Sequence, residues 1–261
     1  MRIAILGANG VFGRYLTTAL NATPITRTTF DMLDGDAMRS YFRANAFDVV
    51  VNAAVHSNSD MTTFNPGVLA DNLRMFANLY DARDTFGRLI SFGSGAEFDR
   101  RGDITNAKEE RIYERMPADH YGLSKNVNAR ISAMTDNFYT LRIFGAFYPG
   151  EAPTRLLPKI LSGQTVSIKD RYLDYIYLED LLPVVQYFSK GEPMCSDINV
   201  VYADKMLLSN FTQLFCKVNN LSNTNIQIDG MAKFNYTGDG TKLQSLDLPQ
   251  MGIVTGFKKY K

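Results

Sequence analysis

Short apolar runs alternate with amphipathic stretches over the first half of the chain. "RIAILG", "TPIT", "DVVVNAAV", "RLISFGSG" and "FYTLRIFG" read as strands, and "YLTTAL", "AMRSYFRA", "VLADNLRMFANLYDA" and "YGLSKNVNARISAMT" as helices between them. The strand runs are continuously apolar rather than alternating, the pattern of strands buried on both faces. A β-α-β-α order of this kind predicts an α/β fold, a doubly wound parallel sheet with helices on both faces. After Phe147 the rhythm loosens into "YPGEAPTRLLPKILSGQ" and later "MLLSNFTQLFCKVNNLS". We therefore expect a main domain over residues 1–147 and a smaller, interleaved C-terminal lobe over 148–261, with 173–201 returning to the main sheet. Tyr172, Tyr175 and Tyr177 alternate as on a strand, and "LEDL" at 178–181 reads as a helix start capped by Asp180.

Sites in such sheets lie at the carboxyl ends of the strands, where "LGANG", "NAAV", "SFGSG" and "RIFGAF" would converge. Gly7, Gly10 and Gly13 stand between the first strand and the first helix in a G-x-x-G-x-x-G spacing. Glycines there let the backbone turn tightly and aim the amides of the helix start at an anion, in a Rossmann-like fold the pyrophosphate of a dinucleotide. A turn leading into a closely packed helix would use the same glycines, so other positions must decide. At the end of the second strand, "TPITRTTF" offers Arg27 among hydroxyl residues and no carboxylate. An acid here would bind the ribose 2'-hydroxyl of NAD, whereas a guanidinium suits a 2'-phosphate. The expected cofactor is NADP(H), with NAD as the alternative; the plain reading of Arg27 is an exposed loop residue.

Tyr121 and Lys125 stand four apart on a predicted helix and share a face. A lysine cation and a positive nicotinamide ring favour the phenolate, bringing a tyrosine down from its usual pKa of about 10 into a useful acid/base range. Ser94, at the end of "RLISFGS", can donate its hydroxyl to a substrate oxygen beside Tyr121. Each residue alone has an ordinary structural reading, a surface pair or a polar loop. Arg155 and Arg171, two cations in the lobe, are candidates for neutralising a substrate diphosphate.

In this order and spacing the residues resemble the extended short-chain dehydrogenases/reductases, in the nucleotide-sugar-modifying branch that includes dTDP-4-dehydrorhamnose reductase and GDP-fucose synthase type enzymes. The resemblance runs from residue 1 to about residue 215 and also takes in "DMLD" at 31–34, "NAAV" at 52–55, Asn72, "LRIFGAFYPGE" and "LDYIYLEDLLPVV" at 173–185. It implies Ser94, Tyr121 and Lys125 as the catalytic triad, with Ser94, Gly95 and Tyr121 at the substrate. It implies a cofactor held by Gly7, Asn9, Gly10, Val11, Phe12 and Gly13, with Asp31 and Met32 along the adenine, Ala53, Ala54 and Asn72 near the ribose and pyrophosphate, and Lys125 on the nicotinamide ribose. Departures narrow the chemistry. Sugar-nucleotide dehydratases carry Asp-Glu directly after the serine, where Gly95 and Ala96 stand here; the fucose-synthase type has a cysteine at the place of Ala96. Gly145 replaces an asparagine that touches substrate in relatives, and the segment beyond 215 is short for the family.

Composition adds limits. A formal charge of +1 gives no field for nucleic acid or an anionic membrane, and the one basic run is Lys258, Lys259 and Lys261. Two cysteines, Cys195 and Cys216, are too few for a disulfide framework and lack zinc spacing, and His56 and His120 read as polar loop residues, so no metal is expected. The first strand begins without a charged leader, which points to the cytoplasm. The expectation is an NADPH-dependent reductase of a keto group, at C4, of a nucleotide-linked deoxysugar, with a homodimer as one option for its assembly. Its rivals are a C4 epimerase with tightly held NAD and a non-catalytic, redox-sensing NADP-binding protein on the same fold.

Overall fold

A computed structural model describes residues 1–56, 66–223 and 225–260; Lys261 of the basic tail lies outside the described residues. In chain order the regular elements begin β1 (Ile3–Leu6), α1 (Val11–Ala19), β2 (Thr23–Ile25), α2 (Gly35–Asn45), β3 (Val49–Asn52), α3 (Pro66–Asp81) and β4 (Arg88–Ser94). They continue β5 (Ile104–Ala107), α4 (His120–Ala133), β6 (Phe138–Ile143), β7 (Ala146–Phe147), α5 (Leu156–Leu161), β8 (Val166–Asp170) and β9 (Ile176–Tyr177). The remainder are α6 (Leu181–Ser189), β10 (Asp197–Val200), α7 (Leu208–Val218), β11 (Ile226–Met231), β12 (Tyr236–Gly238), α8 (Thr241–Ser245) and α9 (Gly252–Lys258).

The main sheet is six-stranded and parallel, in the order β10-β6-β4-β3-β1-β2, the doubly wound architecture expected. The order reverses direction beside β1 and β3, the place where such sheets open a crevice for a ligand. All four residues of β1 and of β3 are buried, as the unbroken apolar runs require. Between the strands, α2 starts where the Asp34 carboxylate accepts from the Ala37 amide at 3.0 Å and stops at Ala46 in the left-handed region, φ 48°.

The chain forms two compact units. The first comprises Met1–Arg101, Glu110–Arg142 and Val184–Ile198, the second Gly102–Glu109, Ile143–Pro183 and Asn199–Lys261. The two units alternate along the chain. Residues 104–107 belong to the second unit because β5 pairs in parallel with β12, and of the segment 173–201 only β10 joins the main sheet, while β9 pairs with β7. The first unit packs around Phe42, whose ring meets Phe30, Phe47 and Phe86 edge-on. The second packs around Phe147, Phe211, Phe215 and Phe257. Tyr177 is fully buried there, Tyr175 stacks on Phe211 at 4.7 Å between centroids, and Tyr172 is exposed.

Asp180 precedes α6 as expected but spends its carboxylate elsewhere. It accepts from the amides of Met251 and Gly252 at 2.6 and 3.0 Å, at the start of α9, and from the Tyr202 hydroxyl. A local cap reading fails because the backbone 71 residues away presents better-placed donors.

Among the glycines of the first unit, Gly13 at the turn into α1 has the least room for a side chain. A Cβ on Gly13 would lie 2.2 Å from the Gly7 carbonyl oxygen. Gly13→Ala should therefore destabilise the protein by about 1–3 kcal/mol despite the roughly 1 kcal/mol helix preference of alanine, because backbone and not a flexible side chain must give way. Urea unfolding checks it; a Gly13→Ala midpoint equal to or above wild type would show that the loop accommodates the methyl.

Candidate active site

The glycine loop has the form its spacing predicts. Gly7 adopts φ +74°, its carbonyl accepts from the Gly10 amide at 2.9 Å, and Gly10 opens α1 with extended backbone and no side-chain cap. The first amides of α1 therefore have no side-chain acceptor, the condition for binding an anion. Gly7 packs against the end of β3, where a Cβ would come within 2.8 Å of the Ala54 backbone. Ala53 donates to the Leu6 carbonyl at 3.1 Å, joining "NAAV" to the same loop. Asn9 and Val11 are exposed beside it, and Phe12 packs edge-on against Phe92 at 5.7 Å.

Arg27 is exposed at the end of β2, beside Thr26 and Thr28, whose hydroxyls bond each other at 2.8 Å. The Asp31 carboxylate accepts from the Leu33 amide at 3.0 Å, and the Met32 carbonyl accepts from buried Asn78. Asn72 is buried on α3 and clamps the backbone of His56, accepting from its amide at 2.8 Å and donating to its carbonyl at 2.9 Å. His56 Nδ1 lies 2.6 Å from Asp71. No group of three or more metal-ligating side chains occurs among the described residues.

Ser94 ends β4 and caps a short 3-10 turn, Gly95–Phe98, its hydroxyl accepting from the Ala96 amide at 3.2 Å. Helix α4 starts at Asp119, which accepts from the Gly122 amide at 2.7 Å and pairs with Arg100. That cap sets Tyr121 in the first turn, with its phenol within electrostatic reach of the Ser94 hydroxyl. One turn on, Lys125 Nζ donates to the Phe92 carbonyl at 2.7 Å. The three residues named from the sequence thus meet around the end of one strand.

Their electrostatics differ from the expectation in one respect. Burial pushes the Tyr121 phenol above its ordinary range, with the Ser94 hydroxyl opposing and the Glu97 charge adding to the rise. Lys125 does not offset this. Burial lowers the ammonium itself from 10.5 to about 8, with Glu97 acting against that fall.

Glu97 was not singled out in the sequence. It is fully buried, its Oε1 accepts from the Ser94 amide at 2.8 Å, and its Oε2 accepts from Arg142 Nε at 2.6 Å. Burial pushes its carboxyl up, and Arg142 pulls it down. The signal was present as Ser94-x-x-Glu97, the capping-box pattern, and both of its reciprocal bonds form.

In the second unit Arg155 pairs with Glu151 at 2.6 Å, donates to the Ala146 carbonyl at 2.9 Å, and lines a cavity of about 280 Å³ with Phe147, Tyr175 and Phe211. Arg155 and Arg171 both act electrostatically on Tyr175. Gly145 has a steric reason: a Cβ would meet the Asp174 carbonyl at 2.9 Å and the Tyr175 ring at 3.0 Å, so the asparagine of relatives has no room.

The doubly wound sheet and the glycine loop opening an uncapped helix are the frame of an NAD(P)-dependent oxidoreductase. The chain belongs to the NAD dependent epimerase/dehydratase family, whose model matches residues 3–188. Among solved structures it is similar to WbmG of Bordetella bronchiseptica in complex with NAD and UDP, with TM-score 0.83 and 15% identity, over 100% of this chain and 93% of that one. It is also similar to MlghC, a GDP-mannoheptose C4 reductase of Campylobacter jejuni with NADP bound (TM-score 0.78, 18% identity, 99% and 96% covered). A third is a GDP-L-fucose synthetase of Naegleria fowleri bound to NADP (TM-score 0.81, 15% identity, 99% and 90% covered). At these identities the likeness is one of fold. No curated protein sequence matches the chain.

The depressed Lys125 gives a pH-dependent cost. Below about pH 8 the folded state holds a buried ammonium at a site that binds its proton less tightly than the unfolded chain does; the cost fades between pH 8 and 10.5 and is gone above. Lys125→Met should stabilise the cofactor-free protein by about 2 kcal/mol at pH 7, after allowing for the lost hydrogen bond, and the gain should shrink toward pH 10. Urea unfolding at the two pH values tests this, and a gain that does not change with pH would refute it.

Proposed function

We propose that this protein uses NADPH to reduce a keto group, at C4, of a nucleotide-linked deoxysugar. The observation that carries the proposal is the convergence of Ser94, Tyr121 and Lys125 at the end of β4, with Lys125 one helical turn after Tyr121 and bonded to the Phe92 carbonyl. The residues fit a dinucleotide: Gly7 in the left-handed region and the uncapped start of α1 suit the pyrophosphate, and exposed Arg27 suits the 2'-phosphate. When bound, NADPH supplies the hydride. Tyr121, kept protonated by burial, gives its phenolic proton to the carbonyl oxygen, while the Ser94 hydroxyl holds that oxygen in place. Lys125 orders the nicotinamide ribose, and Asp31, Met32, Ala53, Ala54 and Asn72 complete the cofactor site. Arg155 and Arg171 neutralise the substrate diphosphate.

Gly95 and Ala96 follow Ser94 and offer no acid or base for abstracting protons next to the carbonyl, which favours simple reduction. The NADP-bound C4 reductase among the similar structures supports the same reading. The NAD-bound neighbour favours a second one, a C4 epimerase that retains its cofactor, and oxidised NAD copurifying with the protein would select it. The reaction belongs in the cytoplasm, with Cys195 and Cys216 outside any disulfide. Among the described residues no helix is long and apolar enough to cross a membrane.

Assayed for NADPH consumption on a panel of nucleotide-linked 4-keto-sugars, Tyr121→Phe should lose at least about 100-fold in kcat while NADPH affinity stays within a few-fold. Retention of most of kcat would remove Tyr121 from the chemistry. Arg27→Glu should weaken NADPH by about tenfold or more and NADH much less, because a carboxylate repels the 2'-phosphate. Equal losses for the two cofactors would make Arg27 a surface residue.

A further inference from the structure

Two side chains converge on the Phe92–Gly93–Ser94 backbone at the end of β4. Lys125 Nζ donates to the Phe92 carbonyl at 2.7 Å, and Glu97 Oε1 accepts from the Ser94 amide at 2.8 Å. The residue between them is glycine because Glu97 fills its side-chain space: a Cβ on Gly93 would lie 2.5 Å from Glu97 Oε1 and 2.7 Å from Thr140 Cγ2. Behind the carboxylate, Arg142 donates to Oε2 at 2.6 Å, reaches Asp197 at 3.2 Å, and lies over the Phe98 ring at 5.0 Å. Both Glu97 and Arg142 side chains have 0% exposure. The Glu97 carbonyl accepts from Asn126 Nδ2 at 2.8 Å, which ties the turn to the residue after Lys125.

A buried ion pair of this kind is an expensive way to hold a turn, since apolar residues of similar volume would cost less desolvation. A charge at this place accomplishes what an apolar residue would not. We infer that Glu97 is a positioning residue of the active site, which fixes Ser94 through its amide and supplies the negative charge that keeps the Lys125 ammonium protonated in a buried setting. The inference rests on the assignment of Ser94, Tyr121 and Lys125 and adds to it the group that sets their charge state.

The other charges on elements packed against α4 do not substitute for Glu97. On the 3-10 turn and the loop after it, Asp99 is paired with Arg101, and Arg100 with Asp119 at the start of α4. On β4, Arg88 donates to the Phe188 and Gly191 carbonyls. On α3, Asp71 is held by His56, and Arg74 and Asp81 complete the charged set. On β6, Arg142 is committed to Glu97 and Asp197. Glu97 is the charge that raises Lys125 against the effect of burial.

The test reads Lys125 directly and needs neither substrate nor NADPH, so its failure is distinct from failure of the proposed reaction. Protein labelled with 13C-lysine is titrated by the Cε chemical shift, the Lys125 signal being assigned by its loss in Lys125→Arg. The wild-type midpoint is expected at about 8. In Glu97→Gln, which keeps the volume and the acceptor for the Ser94 amide, the midpoint should fall by about one pH unit, a tenfold loss of proton affinity. An unmoved midpoint in a folded Glu97→Gln protein would show that Glu97 only holds structure. Glu97→Gln leaves Arg142 without its main partner and lowers stability, so the double variant Glu97→Gln with Arg142→Gln carries the same measurement. It should recover part of the thermal stability and keep the lowered midpoint. A midpoint restored to the wild-type value in the double variant would assign the shift to unpaired Arg142 and overturn the inference.

Discussion

Glu97 and Arg142 set opposite charges 2.6 Å apart where water does not reach, and the active-site end of the first unit is arranged to keep them paired. Removing one partner of such a pair costs roughly 3–5 kcal/mol, because the other is left buried and uncompensated. The surrounding residue choices answer that constraint. Gly93 gives up its side chain to the carboxylate, Ser94 offers it an amide, and Asn126 of α4 fastens the turn from the far side. The end of β4, the middle of α4 and the end of β6 are thereby held to one another by polar bonds with fixed directions, which apolar packing alone does not impose.

That rigidity matters to the chemistry assigned to Ser94, Tyr121 and Lys125. A phenol that donates its proton to a substrate oxygen must be held within hydrogen-bond reach of it, and the hydroxyl beside it must not wander. Ser94 is fixed on both sides of its Cα, through its own amide and through the acceptor role of its hydroxyl toward Ala96. Tyr121 follows from the Asp119 cap two residues earlier, since the cap determines where the helix begins.

What the sequence made legible was what depends on neighbours in the chain. The glycine loop and the Tyr121–Lys125 pair are local spacings, and the turn and the helix that they describe are the ones that form. Glu97 was hidden because an acid in "GSGAEFD" reads as solvated loop until Arg142, 45 residues on, is folded against it; only the capping-box spacing to Ser94 gave a local sign. Asp180 failed for the opposite reason: its local cap reading was plausible, and a distant backbone had the stronger claim. The expectation for Tyr121 counted the nearby cation and omitted burial, and burial is the larger effect. The return of residues 104–107 to the second unit was not legible because the pairing of β5 with β12 has no signature in either strand alone.

The chain passes back and forth between the two units, and this bears on how the protein is made. The edge strand of the main sheet, β10, lies at 197–200, and Val184–Ile198 belongs to the first unit. A growing chain therefore cannot complete its first unit when the glycine loop, Ser94, Tyr121 and Lys125 have all left the ribosome. About fifty residues must emerge after β6 before β10 can cover its open edge, an interval in which unpaired strand backbone is available to other chains. The interleaving that unites the sheet in the finished enzyme makes the nascent chain dependent on keeping that edge covered until its own last strand arrives.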